Sequence, residues 1–98
     1  MAQLIVVYWR DIPAQVIVKK GRESAKVQLT ERFEKAIDRA AMRAQLRDTD
    51  GYLAQWRRAE PVGVGDDLEA EAATAAERLE SEYGEARLTT LVDKGGIA

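Results

Sequence analysis

Three groups of residues in this 98-residue chain have types and spacing that could do chemistry. The first is Tyr8-Trp9-Arg10-Asp11, where large aromatics meet two opposite charges at the end of an apolar run. An indole there can stack on a flat ligand while the guanidinium holds an anion. The same residues also suit a plain hairpin end, with Trp9 filling the core edge and Arg10 and Asp11 shaping the turn. The second group is Lys19, Lys20, Arg22 and Lys26, four charges able to meet phosphates. Glu23 interrupts them and no aromatic is interleaved, the composition of a solvated turn. The third is a row of cations at Arg32, Lys35, Arg39, Arg43 and Arg47. At 100° per residue these fall within about 120° of arc on a helix, a basic rail suited to an acidic partner or phosphate.

The absences narrow the chemistry further. The chain has no Cys and no His. Thiol nucleophiles, disulfides, Cys-held clusters and Cys/His zinc sites are therefore out of reach, as is the usual proton carrier near neutral pH. Asp48-x-Asp50-Gly51 has the start of a calcium loop, but its Gly is fourth rather than sixth and Ala59 stands at the twelfth position. Gly63-x-Gly65 lacks a third Gly at Leu68, and Asp66 and Asp67 would repel a phosphate there. No cofactor, metal or catalytic set is expected.

Charge is split along the chain. Residues 1–58 carry 12 Lys/Arg and 7 Asp/Glu, a net of +5, whereas residues 59–98 carry 3 and 10, a net of −7. The halves sum to −2, which gives no bulk attraction to nucleic acid. Such halves face different things or face each other. A pairing of the Arg rail with Glu69, Glu71, Glu80 and Glu82 across a helix seam accounts for the split internally.

The elements that position these groups follow from periodicity. Residues 3–9 and 14–19 read as strands, β-branched and aromatic, joined by a bend at Arg10-Asp11-Ile12-Pro13. They pair as an antiparallel hairpin. Residues 20–24 form a polar turn and residues 25–29 are extended. Thr30 is the N-cap of a helix running to about Arg47, whose apolar face is Phe33, Ile37, Ala40, Ala41 and Ala44. Residues 52–62 suit either a short helix and a loop or a strand ended by Pro61, and are read as partly strand. After a loop at residues 62–65, Asp66 and Glu69 have the form of a capping box, opening a helix to Tyr83 with Gly84 as its C′ glycine. Its stripe is Leu68, Ala72, Ala75, Leu79 and Tyr83. Residues 87–93 read as a last strand and residues 94–98 as a fraying tail.

The order is β-β-α-(β)-α-β, one domain, α+β, with two amphipathic helices packed as a two-layer sandwich on a sheet of three to four strands. One feature strains that plan. The hairpin is apolar on both sides, with Ile5, Val7 and Trp9 against Leu4, Val6 and Tyr8, and Val16 and Val18 against Ile17. Strands of this kind are normally buried on both faces. Either helices or a loop cover both, or one face, around Tyr8, Trp9 and Val16 with Arg10 and Asp11 at its rim, meets a protein partner or a second copy. Arg39 and Arg43 extend that candidate interaction surface.

"LIVVYWRDIPAQV", "AIDRAAMRA" and "YLAQWRR" resemble the small bacterial family known as conserved virulence factor, over residues 4–58. Related domains sit in larger proteins beside helical repeats and an iron–sulfur-scaffold-like module, which implies a docking or accessory role. Without cysteine, no cluster chemistry carries over to this chain. The resemblance implies no specific activity. A non-catalytic interaction domain is expected, with a small-molecule or anion-binding accessory subunit as the alternative. The longest apolar run, "LIVVYW", is too short to span a bilayer. With no basic leader in view, a cytoplasmic chain is expected.

Overall fold

The computed structural model describes residues 1–46 and 48–98. Nine elements are formed among them: β1 (Ala2–Trp9), β2 (Ile12–Lys20), β3 (Glu23–Gln28), α1 (Glu31–Arg43), α2 (Thr49–Leu53), β4 (Trp56–Arg58), β5 (Val62–Val64), α3 (Leu68–Glu82) and α4 (Glu85–Asp93). The fold is α+β, with a five-stranded antiparallel sheet in the order β3-β2-β1-β4 and β5 also pairing β1. The sheet has more strands than expected because residues 62–65, read as a loop, contain β5, which pairs β1 beside the short β4.

The hairpin forms as anticipated, but its turn is tighter. Trp9 pairs Ile12, so Arg10 and Asp11 alone make the bend, and Pro13 lies inside β2 opposite Tyr8. The register slips between Val7 and Tyr8. A bulge suits Pro13, which has no N–H to give the ladder. The second hairpin turns on Gly21 at φ 59, the positive value a two-residue connection needs.

Both amphipathic stripes do their expected work. Phe33, Ile37, Ala40 and Ala41 of α1 and Ala72, Ala75, Leu79 and Tyr83 of α3 are buried in one continuous core with Leu4, Val16 and Val18. α3 lies along β2 and β3, while α1 meets β2 and packs chiefly on α4. Thr30 does precede α1, but its hydroxyl caps nothing locally. It donates to Glu80 Oε1 at 2.8 Å, and the Thr30 N–H donates to Glu80 Oε2 at 2.7 Å, which ties the start of α1 to α3.

Several sequence expectations are corrected. Residues 87–93, read as a strand, lie in α4, because Leu88 and Leu91 are both buried one turn apart. Gly84 is the N-cap of that helix at φ −67, not a left-handed C′ residue. The cap of α3 is Asp67, accepting from the Ala70 N–H at 3.1 Å, one residue beyond Asp66. The Asp48-x-Asp50 segment opens α2, with Asp48 Oδ2 accepting from the Gly51 N–H at 3.0 Å. α1 closes at Arg43, and Arg47 lies outside the described residues. The tail is bonded rather than loose: the Asp11 N–H donates to Gly96 O at 2.8 Å and the Ala98 N–H to Asp11 Oδ2 at 2.7 Å.

The two sides of the hairpin are closed in different ways. Leu4, Val16 and Val18 belong to the shared core, whereas Ile5 and Ile17, a directly opposed pair on the other side, do not. That pair is nevertheless only 4% and 7% exposed. The register surrounds it with Gln3, Lys19, Val7, Gln15 and Lys26. Long polar side chains cover apolar surface with their stems.

Candidate functional site

The expected interaction surface is not one surface. Val16 and Trp9 are both fully buried, so neither faces a partner. Trp9 stacks on Tyr52 with ring centroids 5.7 Å apart, and its indole Nε1 donates to Tyr52 O at 3.0 Å. Simple alternation would set Trp9 on the side of Ile5 and Val7; the bulge between Val7 and Tyr8 reverses it, so Trp9 joins Leu4 and Ile12 in the core, where Tyr52 of α2 covers it.

Arg10 is held at φ 53, an uncommon conformation for a side-chain-bearing residue. Three bonds hold it there. Its N–H donates to Gln55 O at 3.0 Å, Nε to Gln55 Oε1 at 3.1 Å, and a terminal nitrogen to Gly95 O at 3.0 Å. The guanidinium also lies 5.4 Å from the Trp9 ring centroid. Arg10 therefore fastens the C-terminal residues to the hairpin instead of waiting for an anion. Arg43 bridges Asp93 of α4 at 3.1 Å, and Arg39 is exposed beside the groove between α1 and α4.

The two charged parts are bridged at three points by side chains among the described residues. Lys20–Asp66 at 3.3 Å, Arg32–Glu80 at 3.0 Å and Arg43–Asp93 at 3.1 Å each join the basic part to the acidic part. The seam differs from expectation. Of the four Glu proposed for it, Glu80 alone pairs with α1 among the described residues, because α4 rather than α3 lies along the rest of that helix.

Tyr8 and Asp11 do come together, with partners that sequence reasoning missed. They line a cleft of about 460 Å³ with Arg57, Tyr83, Arg87 and Lys94, where the end of β1 and β4 meet α3 and α4. Arg57 is fixed by donating from Nε to Arg10 O at 2.9 Å and from Nη2 to Asp11 Oδ1 at 3.1 Å. Its guanidinium lies 4.6 Å from the Tyr8 ring centroid, and that of Arg87 lies 4.0 Å from the ring of Tyr83. Each phenol thus carries a guanidinium on its face. Burial, reinforced by the neighbouring Tyr8, pushes the Tyr83 phenol above its ordinary range, so it stays protonated at neutral pH. Lys94 makes no ion pair among the described residues.

This arrangement is rich in donors. Three cationic side chains and one acidic side chain line the cleft beside Ala98, the C-terminal residue, and the Asp11 carboxylate is already engaged by Arg57 and the Ala98 N–H. Phenol and guanidinium N–H and O–H groups complement carboxylate or phosphate oxygens. The volume lies in the range that holds a small ligand, about 300–1,000 Å³. No group of three or more acidic side chains able to hold a metal is present among the described residues.

Two signals for the cleft stood in the sequence: Arg57 lies in the aromatic-rich stretch at residues 52–58, and Arg87 follows Tyr83 by four residues. Assigning residues 87–93 to a strand separated Arg87 from Tyr83.

A family model described as virulence factor matches residues 7–92 of the chain, from within β1 to near the end of α4. The chain belongs to the virulence factor family. The matched span contains Tyr8, Asp11, Arg57, Tyr83 and Arg87 of the cleft, while Lys94 lies beyond it. No curated protein and no solved structure matches this virulence factor domain. No helix among the described residues is long and apolar enough to cross a membrane.

Proposed function

We propose that this virulence factor domain is a non-catalytic accessory module that captures an anionic group, carboxylate or phosphate, in the cleft between β1, β4 and the α3–α4 corner. The single observation behind this reading is the pairing of two guanidiniums, each laid on a tyrosine ring, around a concave space of about 460 Å³. Stacking on a phenol and bonds within the chain, from Arg57 to Arg10 O and Asp11 and from a terminal nitrogen of Arg87 to Glu82 O, restrict both guanidiniums, and the N–H donors left over on each are the ones offered to an anion. The acceptor is a small acidic metabolite or an acidic side chain of a partner protein. A chain without Cys fits a reducing, cytoplasmic compartment.

A homodimer or protein contact through the outer hairpin face has less behind it. The apolar pair there, Ile5 and Ile17, is already withdrawn from water within one chain.

Isothermal titration calorimetry tests the proposal with inorganic phosphate and with citrate, in wild type and in Arg87→Ala. Arg87 is exposed at the start of α4, so the fold should survive its truncation. Saturable binding to one site, weakened about tenfold or more in the variant, is expected; charge-assisted hydrogen bonds of ~1.5–3 kcal/mol set that scale. Heats that do not saturate, or equal affinity in Arg87→Ala, would overturn it.

A further inference from the structure

A second concave site, of opposite chemistry, lies where α1 faces α2 and β4. Glu34 and Asp38 are four residues apart on α1 and so lie side by side on one helix face. Across from them stand Tyr52 of α2 and Trp56 of β4, with ring centroids 6.1 Å apart and planes at 81°. These four, with Gln28 and Ile37, line a cavity of about 170 Å³ that no Lys or Arg among the described residues lines.

Two observations give this cavity a sign. Neither Glu34 nor Asp38 is in an ion pair among the described residues, although like charges at this spacing repel each other. Their field also reaches the aromatic wall. The Tyr52 phenol is raised above its ordinary range by burial and then by Asp38 and Glu34, with the Trp56 side chain opposing. Aromatic rings attract cations, so an aromatic wall beside two carboxylates favours the same class of guest.

Size and donor type then narrow that class. A cavity of this volume is below what a drug-sized molecule needs and holds a head group. A hard metal ion takes six or more oxygen ligands, and two carboxylates beside two aromatic rings do not provide them. An ammonium ion carrying alkyl substituents is different. It presents its positive charge through an apolar surface that aromatic faces recognise, while the carboxylates balance its charge.

We infer that the Glu34–Asp38–Tyr52–Trp56 cavity binds a small alkylammonium head group.

The test is an NMR titration of the whole domain with tetramethylammonium chloride, following the indole N–H signals of Trp56 and of Trp9, which stacks on Tyr52. Sodium chloride at matched ionic strength is the comparison. A saturable shift of the Trp56 indole with tetramethylammonium alone is expected, weakened about tenfold or more in the Glu34→Gln/Asp38→Asn double variant. Both residues are exposed, and unchanged indole positions in the ligand-free variant would show that it has kept its fold. Arg87→Ala should leave this titration unaltered, which separates it from the anion cleft. Equal shifts with sodium chloride, a response that does not saturate, or full retention of binding in the folded double variant would overturn the inference.

Discussion

Replacing Gly96 by Ala should destabilise the domain far more than its place beyond the last helix suggests. Gly96 has φ +92, and an added Cβ would stand 2.8 Å from Cζ3 and 3.2 Å from Cε3 of Trp9. Carbon atoms in contact settle at about 3.5–4.0 Å, so one side must move. Trp9 cannot easily do so, being fully buried, stacked on Tyr52 and bonded through its indole N–H. Overpacking of a core costs about 1–3 kcal/mol, and a left-handed conformation at a residue with Cβ costs about 1–2 kcal/mol more. Undocking of the tail is the alternative outlet. It forfeits the bonds of Asp11 to Gly96, Arg10 to Gly95 and Ala98 to Asp11, at a net ~0.5–1.5 kcal/mol each. Either way the loss is about 2–4 kcal/mol. For a domain of this size that lowers Tm by roughly 10–25 °C. Gly21→Ala is the internal comparison: φ is +59, but nothing lies within 4 Å, so backbone strain of ~1 kcal/mol acts alone. Chemical and thermal unfolding of both variants measure the difference. A Gly96→Ala protein within ~0.5 kcal/mol of wild type, or a Gly21→Ala protein that loses as much, would refute the reasoning.

Other perturbations have outcomes that differ in kind. Arg32→Ala removes a guanidinium that donates to Glu80 and to the Tyr83 carbonyl and lies on the Phe33 ring; thermal denaturation should show a loss of about 1–3 kcal/mol. Trp9→Phe removes the 3.0 Å bond to Tyr52 O and leaves a void, so urea unfolding should report a loss of about 2 kcal/mol. Tyr52 and Tyr83 both have raised phenol pKa values in the folded protein. Their contribution is complete below the unfolded value of 10.0 and is lost as pH rises through the folded values, so Tm should fall in that alkaline range. Tyr83→Phe should flatten this decline relative to wild type at equal ionic strength.

The elements that could be read from sequence are those with one dominant period. The doubly apolar hairpin, the α1 stripe from Phe33 to Ala41 and the α3 stripe from Leu68 to Tyr83 all stand where periodicity placed them. α4 was misread for a physical reason. "RLTTLVD" is dense in β-branched residues, whose strand preference is outweighed by burying Leu88 and Leu91 against α1. Gly84 carried a double meaning, since the residue that ends one helix begins the next. α2 and β4 are too short for any period to show, and α2 is fixed by the side chain of Asp48.

The candidate site was legible only in part, because it is assembled from the ends of elements. Tyr8 and Asp11 were singled out and do line the cleft, whereas Trp9, Val16 and Arg10 serve the core and the tail. Which of several aromatics at a strand end turns inward depends on what covers it. The hairpin residues alone contain no trace of Tyr52, Gly96 or Arg57, which lie more than 40 positions from Trp9, Arg10 and Asp11.

The proposed anion site requires Arg57 and Arg87 to act on one guest. Side-chain Nε–H NMR signals of the arginines, followed during titration with inorganic phosphate, test it most directly. Saturable shifts confined to Arg57 and Arg87, with a common midpoint and lost for Arg57 when Arg87 is replaced by Ala, are the predicted result. Small shifts spread over every basic side chain, Arg22 and Arg39 included, and scaling with ionic strength would contradict it.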